Sequence, residues 1–305
     1  MKLSRLIGNT PLVRIRKLNP NPKVTLLVKM ESHNPAGSVK DRAALGMMRA
    51  ALKRGTISLG DKLVEPTSGN TGIALSMIAN ELGFDLTLIM PENSTNERIQ
   101  TVEALGAKVI LEGTTSEFCR KLANKMVATG EFKSLNQYDN PDNLNCHYEN
   151  TGPEIWNDTN QNITHFVSAM GTSGTIMGIS KYLKEKDENI RVIGTRPLDG
   201  GPKIPGMSRW SPGFVPKIFD PSLLDGIVNI SYEESIETMK RLAKEEAIFS
   251  GPSSGGNVAG AIKLANQIDE GLIVTIVCDR GDRYLSSNLF SRATETEVKA
   301  VPSRR

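Results

Sequence analysis

Lys40 occupies a position in the sequence where helix electrostatics disfavour a cation. In NPAGSVKDR (34–42), a proline and a glycine interrupt whatever precedes them, Ser38 is a good N-cap, and an amphipathic helical pattern begins at Val39. Lys40 therefore falls in the first helical turn, at the positive end of the helix dipole. That position, with partial burial, lowers the pKa of an amine, and a neutral amine is what Schiff-base chemistry requires. The ordinary alternative is a lysine that extends to water or pairs with Asp41.

Three loops rich in glycine and in hydroxyl side chains have the composition of anion-binding loops. They read PTSGNTG (66–72), GTSGT (171–175) and GPSSGG (251–256). We expect each loop to lie at the carboxyl end of a strand and to precede a helix, the third helix starting near Asn257. Glycine lets a ligand approach the backbone, N–H groups at a helix N-terminus bind anions, and hydroxyl groups add further donors.

A single loop of this kind is more often a helix cap or a turn. Three of them at the carboxyl ends of strands indicate a ligand-binding crevice instead. None matches GxxxxGK[ST] or GxGxxG, the patterns of nucleotide and dinucleotide sites. Several small anionic groups, or one small phosphorylated cofactor together with a carboxylate, fit the three loops better.

Short apolar segments alternate with helical patterns along almost the whole chain. Segments this apolar are typical of strands buried on both faces, as in parallel sheets covered by helices. The sequence therefore predicts an α/β fold with two doubly wound lobes and mainly parallel sheets, divided near the polar segment 136–145. The tail 291–305 is polar, and we expect it to be disordered. The predicted strands cover 24–30, 62–66, 86–90, 108–112, 164–169, 191–195, 226–230 and 272–277, and the predicted helices cover 70–82, 95–105, 115–129, 174–186, 231–246 and 256–268.

Composition argues against several classes of protein. The formal net charge of +3 over 305 residues is small, so we expect no nucleic-acid-binding or membrane-binding surface. The cysteines Cys119, Cys146 and Cys278 form no C-x-x-C pair and no cluster with histidine, so we expect neither a disulfide framework nor a metal site. The N-terminal segment lacks the apolar region of a signal peptide, and no apolar segment is long enough to cross a bilayer. We expect a reduced, cytoplasmic protein.

Several long motifs occur in a fixed order along most of the chain. They are NPAGSVKDRAA, TSGNTGIAL, TGPEIW, MGTSGTI and SSGG, and they lie between IGNTPLV (7–13) and RYLS (283–286). Together they resemble the cysteine synthase family (O-acetylserine sulfhydrylases) of the fold-type II pyridoxal-phosphate enzymes. CDRGDRYLS (278–286) and IPGMSRW (204–210) are similar to the B-type branch of this family.

The resemblance implies pyridoxal 5′-phosphate as the cofactor and the two-lobed fold of the tryptophan synthase β-subunit. Residues 36–145 would form a smaller, mobile lobe that holds the substrate carboxylate. Residues 1–35 and 146–305 would form a larger, cofactor-binding lobe. The resemblance also implies a homodimer.

The resemblance assigns roles to residues of this sequence. Lys40 matches the lysine that binds the cofactor as a Schiff base and moves the α-proton of the substrate. Ser253 matches a serine that faces the pyridine nitrogen; a neutral hydroxyl leaves this nitrogen largely unprotonated, which favours prompt loss of a β-leaving group over racemisation or transamination. The other implied site residues are Thr67, Ser68, Thr71 and Gln137 for the substrate carboxylate, Asn70 for the 3′ oxygen of the cofactor, Gly171, Thr172, Ser173, Gly174 and Thr175 for its phosphate, and Arg209 and Asp279 for the sulfur donor.

The implied activity is synthesis of L-cysteine by β-replacement of O-acetyl-L-serine with sulfide. Ser208 precedes Arg209 where some B-type enzymes have two arginines, which leaves thiosulfate, giving S-sulfocysteine, open as a second donor. O-Phosphoserine and serine also remain open as substrates. Cys278 either approaches the pyridine ring or is a small buried residue.

Two alternatives of different kinds remain. One is a cystathionine β-synthase-like condensation of serine with homocysteine. The other is a non-catalytic binding or regulatory protein of the same fold. Loss of the lysine or the serine would mark the second alternative, and both Lys40 and Ser253 are present.

Overall fold

The computed structural model describes residues 2–67, 69–210 and 213–290, which form two β-sheets covered by helices. The strands are β1 (Leu12–Ile15), β2 (Val24–Met30), β3 (Lys62–Pro66), β4 (Asp85–Met90), β5 (Lys108–Leu111), β6 (Phe132–Lys133), β7 (His165–Ala169), β8 (Arg191–Pro197), β9 (Gly226–Ile230) and β10 (Gly271–Val277). The larger sheet has the order β1-β2-β10-β7-β8-β9, and its neighbours are parallel except for β1 and β2. The smaller sheet is parallel, with the order β5-β4-β3-β6.

The helices begin and end where local sequence signals favour it. Helices α1 and α2 each end at a glycine, Gly55 and Gly83, whose positive φ (72° and 80°) lets its N–H bond to carbonyls of the last turn. Helix α8 begins with a capping box formed by Ser231 and Glu234. The helices are α1 (Lys40–Arg54), α2 (Asn70–Leu82), α3 (Asn96–Ala104), α4 (Ser116–Ala128), α5 (Pro141–Cys146), α6 (Gly152–Asp158), α7 (Gly174–Lys186), α8 (Tyr232–Glu246) and α9 (Pro252–Ala265).

Each sheet has its own hydrophobic core. Helices α1 and α2 cover the smaller sheet, with Met47 and Met48 completely buried among its aliphatic residues. In the larger sheet, β10 lies between β2 and β7, and Ile273, Val274 and Ile276 are completely buried. Burial on both faces explains why these strands are almost continuously apolar in the sequence.

The predicted strands and most predicted helices are confirmed to within one or two residues, and so is the α/β class. The helix predicted at 256–268 is wrong at its start, because α9 begins at Pro252 and follows α8 rather than a strand. Ser38 is not the N-cap of α1; Val39 is, and the Ser38 hydroxyl accepts from the Lys40 N–H (3.3 Å).

Some elements were not predicted from the sequence. They include the antiparallel strand β1 and the helix α5, which occupies the second half of the segment 136–145 that indicated a boundary. The predicted disorder of the tail 291–305 concerns residues outside the described ranges. Among the described residues, no helix has the length and apolarity needed to cross a membrane.

A buried ionic cluster attaches α1 to β2 and α6. Arg42 of α1 forms ion pairs with Glu31 (2.7 Å) and Glu154 (2.7 Å), and the fully buried Lys29 also pairs with Glu154 (3.0 Å). Burial by itself raises the pKa of Glu154, but hydrogen bonds and charges from Arg42 and Lys29 outweigh burial and hold this pKa at about 2. The cluster therefore fixes the helix that begins with Lys40.

Replacing Glu154→Gln is expected to lower the free energy of unfolding by about 3 kcal/mol at pH 7, because it removes the counter-charge that the two buried cations share and leaves Arg42 to Glu31 and Lys29 to the partly exposed Asp158. The pKa of Glu154 is about 2 in the fold and near 4.5 in the unfolded chain. Its stabilising contribution is therefore complete above pH 4.5 and is lost as the pH falls towards 2. Urea unfolding at several pH values should show the difference between the two proteins narrowing below pH 4.5.

Glu117→Gln is the matched control, because Glu117 forms an exposed i,i+4 pair with Lys121 (2.9 Å). This control is expected to leave the unfolding midpoint nearly unchanged. Equal losses of stability in the two variants, or a difference that does not depend on pH, would show that the cluster does not stabilise the fold.

Candidate active site

Lys40 lies beside the carboxyl end of β10. The residues before it pair with the residues that follow this strand: the Val39 N–H donates to the Cys278 carbonyl (2.8 Å), and Ser38 and Asp279 form an antiparallel bridge. Ligands of open α/β sheets bind at this edge, where parallel strands end. The predicted position of Lys40 in the first turn of a helix is confirmed.

The environment of Lys40 favours a neutral amine. Burial lowers the pKa of Lys40, and the charge of Asp279 acts in the opposite direction without outweighing it. The Asp41 carboxylate accepts instead from the Ala36 N–H (2.6 Å), on the preceding turn. The structure therefore favours the poised amine over an ion pair with Asp41.

The loop TSGNTG connects β3 to α2, as predicted. Two of the predicted carboxylate ligands are buried and bonded to each other, since Thr71 Oγ1 donates to Gln137 Oε1 (2.8 Å). Thr67 is half-buried, and its Oγ1 accepts from the Gly69 N–H (3.3 Å). Ser68 lies outside the described residues. These contacts bring hydroxyl and amide groups together at the carboxyl end of β3.

Asp279 is completely buried, and among the described residues only one of its two carboxylate oxygens accepts hydrogen bonds. Its Oδ2 accepts from Asn70 Nδ2 (2.7 Å) and from the Tyr284 hydroxyl (2.6 Å). Its Oδ1 has no hydrogen-bond partner within the described part of the chain. An unpaired oxygen on a buried carboxylate is costly, and Gly251 packs against this one, since a Cβ at that glycine would lie 2.4 Å from Oδ1.

The loop 171–175 leads into the N-terminus of α7. Ser173 has a positive φ of 69°, and Gly174 is required by close packing, because a Cβ there would lie 2.2 Å from Asn143 Oδ1. The Asn143 amide donates to Thr172 Oγ1 (3.0 Å) and so fixes the loop. The first N–H groups of a helix lack intrahelical partners, which makes this turn suitable for a phosphate group.

The segment 204–210 covers both the loop 171–175 and Ser253. Trp210 Nε1 donates to the Gly171 carbonyl (3.0 Å). Gly206 has a φ of 86°, and a Cβ there would lie 2.8 Å from Ser253 Oγ. The close approach of these backbones buries the Ser253 hydroxyl beside the candidate crevice.

GPSSGG supplies the first turn of α9, where Ser253 and Ser254 are buried. The Ser254 hydroxyl accepts from the Cys278 N–H (2.9 Å), which joins α9 to the end of β10. Burial raises the pKa of Cys278 to about 12, and its Sγ accepts from Asn257 Nδ2 (3.3 Å). The thiol is therefore neutral at physiological pH.

The contacts of Arg209 lead away from these groups. Its exposed guanidinium pairs with Asp199 (3.2 Å) and donates to the Pro197 carbonyl (3.5 Å). The structure thus joins Lys40 and Asp279 at one edge of the sheet, but it does not bond Arg209 to either of them.

Sequence reasoning missed two buried residues that bond to the predicted site. Asn143 donates to the Gln137 carbonyl (2.7 Å) as well as to the loop 171–175. It was missed because its segment, 136–145, is polar and was interpreted as the boundary between two lobes. Arg283 donates from Nη1 to Asn70 Oδ1. Its presence in the RYLS motif was the available signal, although nothing in the sequence shows its partner.

These residues fit pyridoxal phosphate. The neutral amine of Lys40 suits its aldehyde, the N-terminal turn of α7 suits its phosphate, and the uncharged Ser253 hydroxyl suits an unprotonated pyridine nitrogen. No cluster of three or more histidine, cysteine, aspartate or glutamate residues that could hold a metal ion occurs in the ranges that the structure describes.

Comparison with known proteins gives consistent matches. The family model for pyridoxal-phosphate-dependent enzymes matches residues 3–279. Cysteine synthase B of Pseudomonas aeruginosa is 50% identical over 286 residues, which cover 93% of this chain and 95% of that protein. Cysteine synthase B of Escherichia coli is 48% identical over 290 residues, which cover 94% and 95%.

A solved structure is also similar over nearly the whole chain. The crystal structure of O-ureido-L-serine synthase superposes with a TM-score of 0.90 at 34% identity, covering 96% of each chain. The resemblance found in the sequence motifs is therefore confirmed, and with it the fold class. This chain belongs to the pyridoxal-phosphate-dependent enzyme family and, within it, to the cysteine synthases of the B type.

Proposed function

We propose that this protein makes L-cysteine by replacing the acetoxy group of O-acetyl-L-serine with sulfide, using pyridoxal phosphate. The observation that carries the proposal is the placement of Lys40, a poised amine held at the carboxyl end of β10 beside the loops that suit a phosphate and a carboxylate. The curated relatives called cysteine synthase B support the same reaction.

When bound, pyridoxal phosphate supplies an electron sink for the bond changes at the α- and β-carbons of the substrate. Lys40 is the base that takes the α-proton at its Nζ, and burial lowers the pKa of this amine, which favours the neutral form that a base requires. Because Ser253 provides only a hydroxyl near the pyridine nitrogen, it does not hold that nitrogen protonated. The residues thus favour loss of the β-acetoxy group.

The substrate carboxylate binds beside Thr67, Thr71 and Gln137; Ser68, which the resemblance also implies for this role, lies outside the described residues. The Thr71–Gln137 hydrogen bond orients both side chains before substrate arrives. The segment 36–145 contains these residues and all strands of the smaller sheet, and we propose that it is a lobe that closes over the carboxylate. Closure excludes water from the reacting carbons.

Asp279 and Arg209 distinguish the sulfur donors. The unpaired Oδ1 of Asp279 accepts a hydrogen bond from a protonated donor such as hydrosulfide. Arg209 forms an ion pair with Asp199, and this pair would have to break before Arg209 could bind the larger anion thiosulfate. We therefore place sulfide first and thiosulfate, giving S-sulfocysteine, second.

Two further properties belong to the proposal. The chain forms a homodimer, as the family resemblance implies. It works in the cytoplasm, where its thiols stay reduced, and Cys119, Cys146 and Cys278 are all free cysteines.

Lys40→Ala is expected to lower formation of L-cysteine from O-acetyl-L-serine and sulfide by about a thousandfold or more, because the variant has no base at the α-proton. Borohydride reduction and mass spectrometry should then find no cofactor attached to the chain. The measurement is product formation, with thiosulfate tested in parallel as the donor.

Lys53→Ala is the control, because Lys53 is an exposed residue of the same helix. It should keep full activity and the attached cofactor. If the unaltered protein makes product only from serine and homocysteine, the cystathionine β-synthase-like alternative is correct. If it binds the cofactor and converts no substrate, the non-catalytic alternative is correct.

Gly174→Ala is expected to lower the affinity for pyridoxal phosphate about tenfold or more, because its Cβ would push Asn143 and deform the phosphate-binding turn. Titration of the cofactor-free protein, followed by visible absorbance, measures this affinity. Gly213→Ala is the matched control, since no atom of the described residues lies within 4 Å of its Cβ position. Unchanged affinity in Gly174→Ala would remove the loop 171–175 from the phosphate site.

A further inference from the structure

Arg283 is a buried cation that the proposed reaction does not use. It is 9% exposed, and its guanidinium donates to two neutral acceptors, Asn70 Oδ1 and the Ala36 carbonyl oxygen. Within the described ranges, no ion pair joins Arg283 to a carboxylate. Burial lowers the pKa of Arg283, and the charges of Asp279 and Asp41 offset only part of this cost, so its place in the fold calls for an explanation other than stability.

The partners of Asn70 fix the orientation of its amide. An arginine only donates hydrogen bonds, and an ionised carboxylate only accepts them. Arg283 donates to Asn70 Oδ1, and Asn70 Nδ2 donates to Asp279 Oδ2 (2.7 Å). A flipped amide would place its N–H groups against the guanidinium N–H and its oxygen against the carboxylate oxygen. One N–H of Asn70 remains for a ligand.

The same guanidinium is anchored on the turn that leads to Lys40. Arg283 Nη2 donates to the Ala36 carbonyl, while the N–H of Ala36 donates to the carboxylate of Asp41 (2.6 Å). Gly37 has a φ of 79°, and a Cβ there would lie 2.8 Å from Arg283 Nη2. The turn therefore packs directly on the guanidinium and leaves it little freedom to move.

Lys40 and Asn70 are the first residues of α1 and α2. One guanidinium bonds to the turn before the first helix and to the residue that opens the second. We propose that Arg283 is a positioning residue, which holds the Asn70 amide with an N–H aimed at the cofactor and at a fixed position relative to Lys40. This proposal rests on the proposed function, because it takes pyridoxal phosphate as the ligand between them.

The test measures cofactor binding without substrate in a double-mutant cycle. Arg283→Lys is expected to weaken pyridoxal phosphate binding about tenfold and to shift the visible absorption maximum of the bound cofactor, because lysine cannot donate to both acceptors at once. In an Asn70→Ala background, the same substitution is expected to weaken binding only about threefold, because the contact with Asn70 is already absent and only the contact with Ala36 is lost. Arg283→Gln, which carries no charge, is tested in both backgrounds and keeps the comparison possible if Arg283→Lys does not fold.

Arg280→Lys is the matched control, because Arg280 also lies against Gly37, where a Cβ would be 2.8 Å from its Nε, but it is half-exposed, close to Asp282 (3.5 Å) and, in the described part of the chain, bonded to neither the Asn70 side chain nor the Ala36 carbonyl. It should leave affinity and absorption maximum unchanged. An equal loss with and without Asn70, or no loss at all, would overturn the positioning role. A protein that binds the cofactor but ignores O-acetyl-L-serine would refute the proposed function and leave this inference standing.

Discussion

The short pairing between residues 38–39 and 278–279 is the constraint on which the site depends. It attaches the start of α1 to the end of β10, in the middle of the larger sheet. Without this pairing, a lysine in the first turn of a helix would extend to water. With it, the amine is held at the carboxyl end of β10, where desolvation lowers its pKa.

The candidate site lies between the two sheets, and hydrogen bonds connect its two sides. Within the segment 36–145, Thr71 and Asn143 both bond to Gln137, and Asn143 also bonds across to Thr172 of the loop 171–175. Asn70 bonds to Asp279 on the other side. Hydrogen bonds thus link the groups proposed for the substrate carboxylate to the groups proposed for the cofactor. A movement of the smaller lobe would change both sets together.

Patterns that depend on one element were predictable from the sequence. Strands buried on both faces are continuously apolar, so β2 and β10 were found correctly. The glycine and hydroxyl residues of the loops were found because their types are needed where a backbone meets a ligand. The family resemblance added roles for Lys40, Asn70 and Ser253, which stay predictions.

Features that depend on the packing of distant segments were not predictable. The start of α9 resembles a loop in sequence, yet Gly255 leaves room there for the Ser235 carbonyl of α8, which would lie 2.1 Å from a Cβ. Asn143 and Arg283 are ordinary polar residues until the fold brings them to Thr172 and Asn70. Their partners are 29 and 213 residues away in the chain.

The visible absorption spectrum of the protein loaded with pyridoxal phosphate tests most directly whether the poised Lys40 serves a cysteine synthase. We predict a band from the lysine-bound cofactor that changes when O-acetyl-L-serine is added and returns when sulfide follows. A band that ignores O-acetyl-L-serine would contradict the assigned substrate. Absence of any band after incubation with the cofactor would contradict the role of Lys40 itself.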